Sequence, residues 1–182
     1  AIINQRQVGM DVEDYEHGLY AALREDPDVI LIGEMRSPET IETALMAAET
    51  GHLVFSTIHT NSAVDSIDRI VGVFPENKQP QIRLQLSMTL RAVLAQQLVP
   101  RATGRGRAAA CELMMITPPI RNLIRDGKTP QMQSYLLSGA KDGSVIMDHF
   151  LLELANKGII MPETAVEAAD DPGEMSKSLM MF

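Results

Sequence analysis

The sequence predicts an α/β fold in which a mostly parallel sheet is flanked by helices. Two short apolar runs, VILIG at 29–33 and LVFSTI at 53–58, have the length and composition of strands buried on both faces. Amphipathic segments with a helical period lie between and after them. Strands that alternate with helices are typical of a parallel sheet, because parallel neighbours need a crossover connection.

Composition and charge limit the classes of protein to which the chain can belong. The 182 residues suit one domain with at most a small appendage, and 45% hydrophobic residues are normal for a folded chain. The 16 Lys and Arg against 24 Asp and Glu give a net charge of −8, which argues against a nucleic-acid coat. The single cysteine, Cys111, excludes an internal disulfide and a multi-cysteine zinc site, and favours a reducing compartment.

The two ends of the chain and its apolar runs carry further expectations. No apolar run approaches the roughly 18 residues that a membrane-spanning helix needs. The chain opens with AII rather than with Met and a polar leader. We therefore expect it to be part of a longer protein.

Two helices are predicted next to the two strands. Ser37 and Pro38 have the residue types of an N-cap and a first helical position. Ser62 with Asp65 resembles a capping box at the start of the second helix. The expected buried positions of these two helices are Ile41, Ala44, Leu45, Ala48, Ala63, Ile67, Ile70 and Val71.

The later elements are predicted from the same periodicities. A long helix is expected over about 79–97, and a strand over 108–115. Beyond about residue 116 the strands stop, and a helix is expected to start at Thr117 and to end at Gly127. A further helix is expected to be capped by Ser144, and the polar tail from 170 onward is expected to be loose. The expected inward residues of these helices are Ile82, Leu86, Leu90, Val93, Leu94, Met147, Phe150, Leu151 and Leu154.

Polar side chains stand directly after the two predicted strands. In open parallel sheets, ligands bind beyond the carboxyl ends of the strands. Glu34 follows the first strand, and His59 follows the second, so we expect both to face one crevice. An acidic residue after a short apolar strand is typical of a Walker B motif, which holds Mg²⁺ or orients water near a phosphate. The alternatives are that Glu34 is satisfied by backbone amides or by Arg36, and that His59 is only structural.

No phosphate loop of the form G-x-x-x-x-G-K-[ST] is present in the sequence. The nearest match ends in GKT at 127–129, but it begins with Asn122 instead of Gly and closes a helix instead of opening one. His17, His52, His59 and His149 show no metal-ligand spacing.

Three segments resemble the secretion ATPase superfamily, which drives type II secretion and type IV pili. The segment LREDPDVILIGEMR at 23–36 closely resembles its Walker B signature, although Ser37 stands where Asp is usual. The segment TGHLVFSTIHTNSA at 50–63 resembles its His box. The segment INQRQVG at 3–9 resembles the stretch before the Walker B helix, with Gln7 in place of Glu.

Within the superfamily, the chain is most similar to the pilus retraction branch. One cysteine excludes the four-cysteine zinc module of the assembly and secretion branches. PIRNLIRDGK at 119–128 resembles a motif of the retraction branch, with Pro119 for Ala and Asp126 for Glu. In this motif Arg121 and Arg125 lie one turn apart on a side that we expect to be exposed, either as a solvated basic face or in coupling. Asn122 belongs to the same motif.

The resemblance implies an architecture for the chain. Residues 1–115 would be the second half of a RecA-like P-loop NTPase core with Walker B and the His box. Residues 116–169 would be a C-terminal helical region, and 170–182 a flexible tail. Walker A, the Asp box, the arginine fingers and a PAS-like domain would precede Ala1, so this chain alone is expected to be inactive.

The resemblance also implies roles for residues. Glu34 would hold or polarise the Mg²⁺–water shell, His59 would contact the γ-phosphate of ATP, and Arg36 would lie at the nucleotide. His52, at the opposite end of its strand, would be structural or interfacial.

The same resemblance implies partners and a location for the complete protein. It would be a homo-hexameric ATPase, peripheral at the cytoplasmic face of the inner membrane, that acts with the pilus platform protein and does not bind nucleic acid directly. The alternatives are an assembly, secretion or conjugation ATPase, or a binding module that has no phosphate loop.

Overall fold

The computed structural model describes residues 2–138 and 142–180. Over these residues, four strands lie within the first 115 residues, with helices before and between them, and every element after the last strand is a helix. The strands are β1 (Val29–Ile32), β2 (Leu53–Ser56), β3 (Ala92–Pro100) and β4 (Arg107–Met115). The helices are α1 (Tyr15–Ala22), α2 (Pro38–Glu49), α3 (Ala63–Gly72), α4 (Gln79–Thr89), α5 (Pro118–Arg125), α6 (Pro130–Ser138), α7 (Met147–Asn156), α8 (Pro162–Ala168) and α9 (Pro172–Met180).

Strands β1 and β2 form a parallel pair, as the sequence predicts, with Val29 opposite Leu53 and Ile32 opposite Ser56. Ile30 and Ile32 are buried in a small core that they share with α1 and α2. The expectation that these strands are buried on both faces is wrong, because the alternate residue Leu31 is 76% exposed. A strand places successive side chains on opposite faces, and only one face of this pair is covered by described elements.

The second strand pair is antiparallel, so only half of the described strand pairing is parallel. Strands β3 and β4 form a hairpin in which Ala92 lies opposite Met115 and Pro100 opposite Arg107. The predicted helix over 79–97 is therefore too long, since α4 ends at Thr89 and Leu90 is already extended. Residues 92–100 also alternate with a period of two, and pairing with β4 selects that period.

The N-terminal ends of α2 and α3 match the sequence prediction. The hydroxyls of Ser37 and Ser62 accept hydrogen bonds from the third amide of each helix, at Thr40 and Asp65. The predicted apolar positions of both helices are buried or partly buried. Six of these belong to the largest core of the described chain, to which α4, α5, α6 and β4 also contribute; they are Ile41, Leu45, Ala63, Ile67, Ile70 and Val71.

The helices after β4 differ from prediction in two places. Ser144 does not cap α7, whose N-cap is Ile146; the hydroxyl of Ser144 accepts a hydrogen bond from the amide of Met115 instead. The expected loose tail contains α9, which packs on α7 and α8 and buries Met175. Packing of Met175 and Leu179, together with hydrogen bonds from the Asp170 and Asp171 amides to Asp148, holds a segment whose composition is mostly polar.

The hairpin and the C-terminal helices share one core. Val99, Ala108 and Ala110 of the hairpin pack with Leu151 and other residues of α7–α9. The division at residue 115 into a core and a helical region remains a prediction, and packing runs across it. Among residues 2–138 and 142–180, no helix combines the length and the apolar character that crossing a membrane requires.

Candidate functional site

The segments that follow β1 and β2 are hydrogen-bonded to each other. The hydroxyl of Thr57 donates to the Gly33 carbonyl at 2.6 Å, and the amide of Met35 donates to the Thr57 carbonyl at 3.0 Å. These bonds continue the parallel pairing past the ends of the strands. Side chains that follow the two strands therefore emerge at the same edge, as the sequence predicts.

Glu34 and His59 meet at this edge. Oε2 of Glu34 lies 3.3 Å from Nε2 of His59 and 2.8 Å from Nε of Arg36. The carboxylate and the imidazole thus lie at one edge, as the prediction of a shared crevice requires, and the alternative contact with Arg36 is present as well. Glu34 is 26% exposed, whereas Arg36 is 74% and His59 66% exposed. Solvent screens both pairs, so they orient the carboxylate more than they stabilise the fold.

The backbone of His59 has an unusual conformation. Its φ is +50°, in the left-handed region that non-glycine residues rarely adopt. The next residue is anchored, because the Thr60 hydroxyl lies 2.6 Å from the hydroxyl of Ser66 in α3, which in turn donates to the Ser62 carbonyl at 2.9 Å. The loop is thus held between β2 and the start of α3 in a strained form, which is frequent where a side chain is presented for function.

Glu34 is the predicted metal ligand. In the described ranges, 2–138 and 142–180, no group of three or more His, Cys, Asp or Glu side chains is arranged to hold a metal ion. Mg²⁺ often binds through one or two carboxylates, with water and substrate phosphates filling its other positions. A single half-buried carboxylate fits such a shared site, and it does not fit a cage made of protein ligands.

A small cavity lies beside Arg36 at the same edge of the sheet. Its volume is 160 Å³, below the roughly 300–1,000 Å³ of typical ligand sites. Its lining residues are Met35, Arg36, Ile41, Ile58, Arg69, Ile70 and Val73. In the described residues, the edge that carries Glu34 and His59 therefore does not enclose a site large enough for a nucleotide.

His52 lies at the opposite end of β2 from His59. Its Nδ1 is 3.0 Å from the Ala47 carbonyl and 3.1 Å from the hydroxyl of Thr50, at the end of α2. These contacts fix the turn that connects α2 to β2. They support the structural alternative for His52 and place it away from Glu34.

The two arginines of the predicted coupling motif have different surroundings. The guanidinium of Arg121 donates to the carbonyls of Ser87 at 2.7 Å and Met88 at 3.1 Å, near the end of α4. The expectation of an exposed basic side is thus wrong for Arg121, which is half-buried. Arg125 is exposed and donates to Asp126 at 3.1 Å, and Asn122 is exposed beside it.

Glu112 is a candidate that the sequence motifs do not identify. This residue of β4 is 1% exposed, and its Oε1 accepts a hydrogen bond of 2.7 Å from the amide of Ala63, the first residue of α3. A signal was available, because Glu112 is the one charged residue inside the apolar run at 108–115. Buried charges need partners, so a charged residue in a buried strand predicts a specific donor nearby.

Comparison with known proteins places the chain in a family. The family model described as "Type II/IV secretion system protein" matches residues 2–169. A twitching motility protein of Neisseria gonorrhoeae is 47% identical over 176 residues, which are 97% of this chain and 47% of that protein. The type IV pilus retraction ATPase PilT of Pseudomonas aeruginosa is 49% identical over 171 residues, which are 94% of this chain and 49% of that protein.

A solved structure agrees with these relatives. A crystal structure of the pilus retraction motor PilT with bound ADP superimposes with a TM-score of 0.85 at 49% identity, over 97% of this chain and 49% of that one. The chain spans about half the length of the curated relatives that it matches. Its sequence and its fold together show that the chain belongs to the type II/IV secretion system protein family.

Proposed function

We propose that this chain supplies the Walker B and His-box half of an ATP-hydrolysing motor that powers type IV pilus retraction. One observation carries the proposal: Glu34 and His59 contact each other beyond the carboxyl ends of two paired parallel strands. Identity of 47–49% to twitching motility and retraction proteins supports the direction of the motor. The ADP in the PilT crystal structure supports a nucleotide ligand.

The side chains at this edge suit phosphoryl transfer to water. Ionised Glu34 would hold Mg²⁺ directly or through water, and the ion would neutralise charge on the transferred phosphate. Arg36 and His59 keep the carboxylate pointed into the crevice. When a nucleotide is bound, the exposed imidazole of His59 would turn to hydrogen-bond the γ-phosphate. After that phosphate has left, the imidazole would return to its contact with Glu34.

The wider assignment concerns the complete protein. By likeness to its relatives, it would be a homo-hexamer, cytoplasmic and peripheral at the inner membrane, that acts on the pilus platform and does not bind nucleic acid directly. ATP would be held by a phosphate loop from a segment outside this sequence, because the 182 residues contain no such motif.

ATP turnover of a longer protein that includes this chain tests the proposal. The Glu34→Gln variant should lower kcat by about a hundredfold or more, because the neutral amide binds Mg²⁺ more weakly than a carboxylate and cannot accept a proton. The matched control Glu39→Gln changes an exposed carboxylate in the first turn of α2 and should leave kcat unchanged. Full turnover by Glu34→Gln would exclude Glu34 from the mechanism.

Two further measurements test other parts of the proposal. The 182-residue chain by itself should hydrolyse no ATP; measurable turnover that Glu34→Gln abolishes would contradict the need for a separate phosphate loop. A pilus retraction assay in a deletion strain then separates a retraction motor from an assembly or secretion motor.

A further inference from the structure

Glu112 is a buried carboxyl group that the proposed hydrolysis does not use. It lies on the inward face of β4 and is 1% exposed. Removing a carboxylate from water is costly unless protein donors replace the lost hydration. Its partners therefore indicate what the residue does.

Those partners are the first amides of two helices from different parts of the chain. Oε1 of Glu112 accepts from Ala63, which begins α3, at 2.7 Å. The amide of Met147, which begins α7, faces the carboxylate and favours its charged form, which lowers the pKa of Glu112. Helix N-termini present unpaired N–H groups and a partial positive charge. One carboxylate thus joins the helix after the His59 loop to the helices at the C-terminal end.

The charges around Glu112 are predominantly acidic. Burial raises the pKa of its carboxyl, the Ala63 and Met147 amides oppose that rise, and Asp170 and Asp148 add to it. Asp148 of α7 is itself tied to the start of α9, because it accepts from the amides of Asp170 and Asp171 at 2.7 and 3.0 Å. Burial, Asp148 and Asp65 of α3 raise the pKa of Asp170 in turn.

A short series of contacts leads from Glu112 to His59. Ala63 is adjacent to Ser62, whose hydroxyl caps α3 and whose carbonyl accepts from the hydroxyl of Ser66. Ser66 contacts Thr60 at 2.6 Å, and Thr60 is adjacent to His59. The left-handed backbone of His59 must be held by its surroundings, and this end of the loop is held by the first turn of α3.

We propose that Glu112 is a positioning residue, which fixes the first turn of α3 so that the His59 loop presents its imidazole to Glu34, and which links that loop to α7. The proposal rests on the proposed function for its effect on turnover, and on geometry alone for its effect on the loop. Glu112 touches neither Glu34 nor His59 and acts through the backbone of α3.

The direction in which the pKa of Glu112 is shifted predicts how the free energy of unfolding depends on pH. The folded-state pKa of Glu112 lies above its ordinary value of 4.5. The stabilising contribution of the group is therefore complete below about pH 4.5 and is lost as the pH rises through the raised folded value. Glu112→Gln does not titrate, so it should remove this part of the pH dependence of the free energy of unfolding.

The same substitution should nevertheless disturb the loop. Glutamine has one acceptor oxygen where glutamate has two, and its NH₂ group cannot accept from a helix amide. In the longer protein, Glu112→Gln should lower kcat about tenfold with less than a twofold change in KM for ATP, as expected when a reacting group is misplaced. Glu153→Gln, which removes an exposed carboxylate of α7, is the matched control and should change neither.

Nuclear magnetic resonance of the 182-residue chain separates this proposal from the ATPase assignment. Glu112→Gln should shift the amide signals of Ala63 and Thr60 and the ring nitrogen signals of His59, and Glu153→Gln should not. Glu112→Asp, which keeps the charge but withdraws it by one methylene, should act in the same direction if Glu112→Gln folds poorly. Unchanged His59 signals in a folded variant, or a kcat that falls only in step with the melting temperature, would overturn the positioning role.

Discussion

At the residue scale, the backbone of His59 adopts a conformation that costs stability, while its side chain contacts Glu34. Its positive φ places the β-carbon close to the backbone, which costs about 1 kcal/mol in a residue other than glycine. Glycine or asparagine would adopt this conformation more readily. A histidine here is therefore better explained by the contact of its ring with Glu34 than by local stability.

Substitution of His59 tests this explanation. His59→Gly should leave the free energy of unfolding unchanged or raise it by up to about 1 kcal/mol, because relief of strain offsets the greater entropy of the unfolded chain. His59→Val should lower it by about 1 kcal/mol or more, since a β-branched side chain is disfavoured at positive φ. Chemical denaturation measures both values.

Asp26 offers a control for the strain argument. It is the other described non-glycine residue with positive φ, at +54°, and it precedes β1, at the opposite end of that strand from Glu34. Asp26→Gly should have a similar effect on the free energy of unfolding. A His59→Gly variant that is clearly less stable than the parent would show that the loop is not strained.

At the element scale, Arg121 of α5 caps the C-terminal end of α4. Its guanidinium on α5 donates to two carbonyls near the end of α4, where the last carbonyls of a helix lack intrahelical partners. A cation at this position also complements the helix dipole. The arginine therefore fastens α4 to α5, whatever further part the motif has in coupling.

This contact predicts unequal effects for the two arginines of the motif. Arg121→Met should lower the free energy of unfolding by about 1–3 kcal/mol, because it removes charged hydrogen bonds and leaves carbonyls without donors. Arg125→Met removes an exposed pair with Asp126 and should change it by less than about 0.5 kcal/mol. Thermal unfolding of both variants measures these changes. If Arg121→Met loses as little stability as is expected for Arg125→Met, the contact with α4 does not stabilise the fold.

Coupling to the pilus is then best tested at Arg125 alone. Because Arg125→Met is expected to preserve the fold, a variant that hydrolyses ATP normally but retracts pili poorly would support the coupling role. Parallel loss of hydrolysis and retraction would oppose it.

The elements that could be predicted from the sequence are those whose secondary structure is determined by local signals. The caps at Ser37 and Ser62 and the strands β1 and β2 depend on local signals, and all were predicted. Strand β3 was mistaken for helix because residues 82, 86, 90 and 93 fit a helical stripe while 92–100 also alternate. Only the pairing with β4, a contact distant in sequence, distinguishes the two.

The candidate site shows the same division. Glu34 and His59 were predicted because the ends of parallel strands meet at one edge, a rule that needs only the strand positions. The role of Glu112 depends on two helix starts that converge from 49 residues upstream and 35 residues downstream of it. Sequence marked the residue as unusual, but it did not indicate which amides would meet it.

At the scale of the whole molecule, the described chain presents the proposed catalytic groups, Glu34 and His59, on an open surface. Its relatives are about twice as long, and the cavity beside Arg36 is too small for a nucleotide. ATP would then be enclosed only when a phosphate loop, and by likeness to the family a neighbouring subunit, completes the site. Movements that open or close this contact would carry the work of the motor.

The most direct test of the central claim is a double-mutant cycle on ATP turnover in the longer protein, with Glu34→Gln, His59→Asn and the two combined. Asparagine is chosen because it tolerates the left-handed backbone of His59. If the carboxylate and the imidazole act as one unit, the double variant should lose little more activity than the worse single variant. Losses that multiply, or single variants with parental kcat, would contradict the claim that these two side chains form one catalytic site.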